Sequence, residues 1–242
     1  MEPGFNFGLL VVIFLISGFK QGLTGFGFGI IAMALLPLVM EVREATATVT
    51  LIGTVSILGS LGIFWKKVSW QECRPLLLGI GIGIPLGVFL LNAVSPLIVT
   101  RTLGVVLVSI SILQAFLPKD QKLIFPKFLG FPLGLLSGLL GGAFNMGGPP
   151  VLVYLQSRPL KVNVLIATLQ VLSAATMFVR SCLIAGSGLI NSHILIAVAV
   201  GILPTWFGII ISARLQNFVP QKVLGHIVLA ALFLLGIIYI VL

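Results

Sequence analysis

The chain has 242 residues, of which 59% are hydrophobic and only 8% charged, a balance that leaves too little polar surface to cover a water-exposed globule of this size. Its formal charge of +9 comes from 14 Lys and Arg against 5 Asp and Glu, and the basic residues lie mostly between apolar stretches, where they orient a membrane protein rather than grip nucleic acid. The composition therefore excludes a soluble enzyme or a nucleic-acid binder and points to an all-α integral membrane protein; a β-barrel would alternate polar and apolar residues, which segments such as Ile194 to Ile211 do not.

In chain order, the first apolar stretch, Phe7 to Met40, is interrupted by Gly22, Gly25, Gly27 and Gly29. Three ordinary spans follow, over about Glu44 to Trp65, Pro75 to Leu91 and Pro96 to Leu117. After the polar linker 118–126 comes a second interrupted stretch, Phe128 to Gln156, and then spans over about Lys161 to Ala185, Ile194 to Ser212 and Val219 to Val241. The N-terminus, with Glu2 and no Lys or Arg before the apolar run, does not read as a cleaved signal. Cys73 and Cys182 have neither metal-site spacing nor a reason to pair.

The second half repeats the first. An offset of 116 residues, the interval from Gly18 to Gly134, also pairs Gly22 with Gly138, Gly25 with Gly141 and Phe28 with Phe144, and further on, allowing small insertions, Pro85 faces Pro204. The expected organisation is one membrane domain, 1–242, made of repeat 1 (about 1–117), the linker and repeat 2 (about 127–242). If each interrupted stretch enters and leaves on the same side, Lys66, Lys67, Arg74, Lys119, Lys122, Lys127, Arg158, Lys161, Arg214 and Lys222 share one face and only Arg43 and Arg101 the other. If each is a single broken crossing, the twelve split evenly and orient nothing. The charge bias favours two re-entrant hairpins with six full crossings, tandem repeats of inverted topology, and both termini outside the cell membrane.

Broken helices at matching places in inverted repeats mark a transporter's midplane site, where half-helix N-termini face an anion. The first break runs from Lys20 through Gly29 and the second from Ser137 through Pro150. From these, Lys20, Gln21, Thr24, Gly25, Phe26, Gly27, Asn145, Met146, Gly147 and Gly148 are candidate substrate contacts. Lys20 is either a counter-charge or a snorkelling lysine, and Asn145 and Gln21 can serve an oxyanion, the unwound backbone, or both. Gln170, Ser173, Met177 and Arg180 form a helical stripe facing the bundle interior; Arg180 can hold an oxyanion or cap helix carbonyls. Thr46, Thr50, Gly53, Thr54 and Ser60 read as a packing face, Gly79, Gly81 and Gly83 as packing glycines, and His193 and His226 as interfacial. The carboxylates Glu41, Glu44, Glu72 and Asp120 sit at loop ends, so no buried acid for proton coupling is visible.

The paired segments GLTGFGFG (22–29) and GLLGGAFNMGGPP (138–150) resemble the TauE/SafE family of sulfite-exporter-like membrane proteins, over nearly the whole chain. The resemblance implies a multi-pass transporter of sulfite, organosulfonates or related small anions; the first segment departs from the glycine-richest pattern with Phe26 and Phe28. The expected function is export or exchange of such an anion by alternating access. A channel-like anion uniporter and a non-transporting scaffold are the alternatives. No catalytic constellation, metal site or cofactor motif is present, so an enzyme is not expected. The expected partners are a small anion, membrane lipid and an unidentified coupling ion, in a monomer or homodimer.

Overall fold

The computed structural model describes residues 6–64, 67–116, 125–186, 188, 190–215 and 221–242. Lys66, Lys119, Asp120, Lys122 and most of the linker lie outside them, and the side chains of Ser60 and Lys222 are likewise not described. Ten helices follow in order: α1 Phe7–Thr24, α2 Phe28–Leu35, α3 Val42–Phe64, α4 Trp70–Ala93, α5 Pro96–Phe116, α6 Gly130–Phe144, α7 Gly148–Gln156, α8 Val162–Gly186, α9 Ser192–Leu215 and α10 Gln221–Val241. The chain is all-helical, as the apolar runs require, because a backbone in hydrocarbon has to satisfy its own N–H and C=O groups.

Among the described residues six helices are long and apolar enough to cross a bilayer: α1, α4, α5, α6 with its leading turn, α8 and α9. The number equals the expected count, but the set differs. The arms α1 and α6 qualify by length, while α3, with 23 residues, and α10, with 21, match the spans in length but are described in full detail over shorter stretches. α4 begins at Trp70, five residues ahead of the expected Pro75, since Ser69 accepts from the amides of Glu72 and Cys73 and starts the helix there.

Packing is pairwise: α4 on α6, α1 on α9, α5 on α10 and α3 on α8. Glycines set the closest pairs. An added Cβ at Gly83 would lie 2.8 Å from the Gly138 Cα, at Gly138 2.7 Å from the Ile80 carbonyl oxygen, and at Gly87 2.8 Å from the Ala143 nitrogen. Each step along α4 is thus matched by a step along α6 in the same direction, so the two helices run parallel, backbone against backbone. α1 and α9 repeat the arrangement, with Phe14 at Gly201, Gly18 at Thr205 and Gly22 at Ile209. α3 is antiparallel to α8, since Glu44 meets Asn191 and Thr54 meets Ser181, and α5 is antiparallel to α10, since Gly104 meets Ile240 and Ser111 meets Leu229.

These contacts sort the expected glycine roles. Gly79 and Gly83 pack as anticipated, whereas Gly81 faces open space. Gly18, Gly22, Gly134 and Gly138, whose match suggested equivalent breaks, lie inside continuous helices and serve packing. The breaks themselves correspond at an offset of 120 residues, the interval from Gly25 to Asn145 and from Phe28 to Gly148, one helical turn beyond the 116 that aligns the glycines. Because packing glycines recur every four residues along each helix, the sequence match slipped by one turn.

At the N-terminal end of α4 a charged cluster is buried. Glu72 takes a hydrogen bond from the Tyr154 hydroxyl at 2.9 Å and pairs with Arg158 at 3.1 Å, and the guanidinium lies 4.4 Å from the Tyr154 ring centroid. Glu72 is therefore a buried, paired acid and not a loop-end carboxylate. The sequence could not show this, because its partner is 86 residues away at the end of α7. Across the molecule, Arg43 donates to the carbonyls of Leu91, Asn92 and Val94 and caps the far end of α4.

Gly83→Ala should lower the melting temperature of the purified protein by several degrees, since overpacking at a backbone contact costs about 1–3 kcal/mol. Gly81→Ala, with no atom within 4 Å, should leave it unchanged or slightly raised; equal effects at both positions would contradict the parallel glycine contact.

Candidate functional site

Each half carries one helix break, built from the same chemistry. α1 ends at Gly25, which adopts φ 74°, and Gly27 follows at φ 100°. α6 ends at Asn145 with φ 58°, the one non-glycine residue at positive φ among the described residues. Asn is the side chain that best tolerates this left-handed region, so both ends use the same C-terminal cap with different residues.

The freed backbone is satisfied by side chains from within the turn and from the other half. Gly25 O accepts from Gln170 Nε2 of α8 at 2.8 Å and from Gln21 Nε2 at 3.3 Å, and Gln21 Oε1 accepts the Phe28 N–H at 3.2 Å. The Thr24 hydroxyl bridges to Phe26 O at 2.6 Å. On the second turn, Asn145 Nδ2 donates to Thr46 O at 3.0 Å and Asn145 Oδ1 accepts from the Thr50 hydroxyl at 3.2 Å, both on α3. Ser137 donates to Gly147 O at 2.6 Å. Gln170 and Thr50 are themselves 120 residues apart, so the two latches, Gln170 to Gly25 and Thr50 to Asn145, occupy corresponding places in the two halves.

The turns meet. Gly29 lies against the Asn145 carbonyl with no room for a side chain, and the Phe26 ring comes within 3.8 Å of a Cβ built at Gly148. Beside this contact is a cavity of about 260 Å³. Gln21, Phe26, Gly27, Asn145, Gly148 and Gln170, half of the twelve candidate residues, line it. Gly29 and Ile30 belong to the first turn of α2 and also line it; amides there have no intrahelical acceptor and carry the positive end of the helix dipole. α7 offers fewer donors, because Pro149 and Pro150 follow Gly148 and have no N–H.

The other six candidates are elsewhere. Thr24 and Gly25 build the first turn rather than the cavity wall. Met146 is fully buried in the apolar core, and Gly147 faces a smaller cavity of about 50 Å³ behind the second turn. Arg180, with no exposed surface, gives its guanidinium to the carbonyls of Gly141 and Ala143, where it caps the C-terminus of α6. Lys20 lines a separate cavity beyond Phe26 and Gly27. Of the stripe on α8, Gln170, Ser173 and Met177 reach the central cavity and Arg180 does not.

Sequence reasoning missed the contribution of α3: Gly53 and Ser56 line the central cavity, and Thr50 holds Asn145, although this face read as packing. The available signal was a run of hydroxyls and a glycine on the span after a broken helix, the position that Gln170 and Ser173 hold in the other half. Cys73 is buried in α4 and Cys182 exposed on α8, both as free thiols, and among the described residues no three His, Cys, Asp or Glu side chains gather as metal ligands do.

A bundle of apolar helices with a cavity between two broken ones, its mostly apolar wall carrying a few amides and hydroxyls, belongs to the class of multi-pass membrane transporters. The family model described as Sulfite exporter TauE/SafE matches residues 9–239, and the chain belongs to that family, whose members are transporters and not enzymes. It is 26% identical over 191 residues, 75% of this chain and 73% of the relative, to the probable sulfite/organosulfonate exporter TauE of Cupriavidus necator. No solved structure matches the chain significantly.

Asn145 plays two parts that substitution separates. Asn145→Gly keeps the left-handed cap and loses the hydrogen bonds to α3, whereas Asn145→Ala loses both. Asn145→Ala should abolish transport and melt lower by the roughly 1–2 kcal/mol of a strained residue, with Asn145→Gly melting between it and the parent. Equal stability of all three would mean that the cap geometry carries no weight.

Proposed function

We propose that this protein exports or exchanges a small sulfur oxyanion, sulfite or an organosulfonate, across the cell membrane by alternating access at the cavity between the two turns. The observation that carries the reading is that this cavity of about 260 Å³ draws its lining from both breaks, with first-turn residues of both α2 and α7 on its wall. An oxyanion there meets the N-terminal dipoles of two half-helices, the amides of Gly29 and Ile30 and the side-chain amides of Gln21 and Gln170. Among the candidate residues, Gln21, Phe26, Gly27, Asn145, Gly148 and Gln170 contact the anion, while Thr24, Gly25, Met146, Gly147 and Arg180 hold the turns in shape. The substrate class follows from the family and from the name of the Cupriavidus necator relative.

The architecture in this reading is two inverted repeats, each a re-entrant hairpin and three crossings. Contacts across each hairpin support it. Tyr154, near the end of α7, has its hydroxyl 3.5 Å from the Lys127 carbonyl, just ahead of α6, so the second stretch returns to where it began. In the first, the Phe28 amide reaches back to Gln21, seven residues earlier. Following the parallel and antiparallel pairs through the bundle puts the starts of α1 and α3 and the end of α10 on one face, with Arg43 and Arg101. In this reading Lys67, Arg74, Lys127, Arg158, Lys161 and Arg214 lie on the other, and their positive charge supports taking that face as cytoplasmic and both termini as external. Halves that face opposite ways while packing as equivalents are what alternating access needs.

Two measurements test this. In proteoliposomes the protein should move radiolabelled sulfite or an anionic organosulfonate such as sulfoacetate, and Gln170→Leu should cut the rate at least about tenfold, the cost of one charge-assisted hydrogen bond. Absence of flux with either anion would remove the transport reading. For topology, in a background lacking Cys73 and Cys182, Arg43→Cys should react with an impermeant reagent from outside intact cells while Lys67→Cys stays protected; the reverse labelling overturns the orientation.

A further inference from the structure

Lys20, like Arg180, is a candidate cation that the central cavity leaves out, but unlike Arg180 it lines a cavity of its own. It lines a second cavity of about 120 Å³ together with Gln114 near the end of α5 and His226 near the start of α10. Those helix ends are on the face that holds Lys67 and Lys127, so this cavity belongs to the basic side of the membrane. Its volume is several times the ~10–15 Å³ that one water occupies by the same kind of measure, enough for a small hydrated oxyanion.

The cavity is built for an anion and not for a cation. Lys20, Gln114 and His226 supply N–H donors, and among the described residues no carboxylate is on its walls. The buried acid Glu72 is held by Arg158, just beyond the end of α7. The Lys20 stem packs along the first turn, 3.6 Å from a Cβ built at Gly27, which holds the residue beside the turn. An ammonium at this depth, with no acid against it, needs water or a mobile anion as its partner.

Phe26, Gly27 and Ile30 line both cavities, and the Phe26 ring also reaches Gly148 on the opposite turn. The first turn, with Phe26 and Gly27, and Ile30 behind it therefore stand between the two chambers. We propose that the Lys20 cavity is a loading site where a small oxyanion from the cytoplasmic face is held before it enters the central cavity, and that Phe26 is the barrier between the two. This rests on the transport reading above. In it the phenylalanine that sets this first turn apart from a glycine-only one is a gate: apolar enough to block a hydrated anion while its ring stays against Gly148, and open when the two turns part.

The test is sided. In inside-out vesicles, where substrate meets the cytoplasmic face, Lys20→Met should raise the half-saturating sulfite concentration about tenfold, as expected for losing a charge-assisted contact, and Lys20→Arg should restore it. In right-side-out vesicles the same variants should match the parent within about twofold. An equal rise on both sides would make Lys20 part of the central site, and no rise on either would end the proposal. A loss that follows the content of anionic lipid rather than the sulfite concentration would make the occupant a lipid headgroup and overturn it as well. Phe26→Ala should raise unstimulated anion leak, and an unchanged leak removes the gate. A second readout needs no transport. With His226→Cys as the single thiol, a negatively charged thiosulfonate should react faster than a positively charged one when Lys20 is present, and the preference should vanish in Lys20→Met. A protein that carries no sulfite at all defeats the transport reading, whereas the absence of this charge preference defeats the loading site alone.

Discussion

A backbone that leaves the helix inside hydrocarbon strands polar groups at several kcal/mol each, and the rest of this structure follows from how two such places are satisfied. Neither break is self-sufficient. The Gly25 carbonyl is held by Gln170 of the second half, and Asn145 is held by Thr46 and Thr50 of the first. The requirement that each turn find partners therefore ties the halves together beside the central cavity. A polar residue on α3 or α8 is at once a structural tie and a wall of the site, which is why the packing and binding readings of such residues are not rivals.

The same logic explains where cations sit. Arg180, wholly buried, neutralises the carbonyl end of α6, and Arg43 does so for α4 at the membrane edge. Both are answers to helix C-termini, whose last carbonyls lack intrahelical partners. With Arg180 committed in this way, the central cavity is lined by amides, hydroxyls and helix ends rather than by full charges. On the proposed reading, a lining without full charges would let a bound anion leave, the condition a carrier or pore has to meet.

Much of the fold was legible. Apolar runs marked the crossings, and Gly25, Gly27 and Asn145 with its following glycines marked the breaks, because glycine and asparagine are the residues that permit positive φ. What was not legible came from long-range partners and from degeneracy. The packing glycines 18, 22, 134 and 138 are the same residue type as the turn glycines, so composition alone could not tell a close helix crossing from a break, and the repeat aligned one turn out of register. Glu72 looked superficial because Arg158 and Tyr154 are remote in sequence. Lys20 looked central because depth along α1 says nothing about which side of Phe26 the ammonium emerges.

The parallel glycine contacts also set an order of events during synthesis. α6 comes off the ribosome after α4, so its partner is already in place, but α1 packs on α9, which begins only at Ser192. At ~5–20 residues per second the first broken segment waits roughly 10–30 s with its glycine face bare and the Gly25 carbonyl short of Gln170. During that interval lipid, the insertion machinery or a chaperone has to stand in for α9 and α8. The two halves, alike in their helix breaks, thus have unequal histories, and the N-terminal broken segment is the place where an interrupted or slowed chain is most exposed to misassembly and degradation.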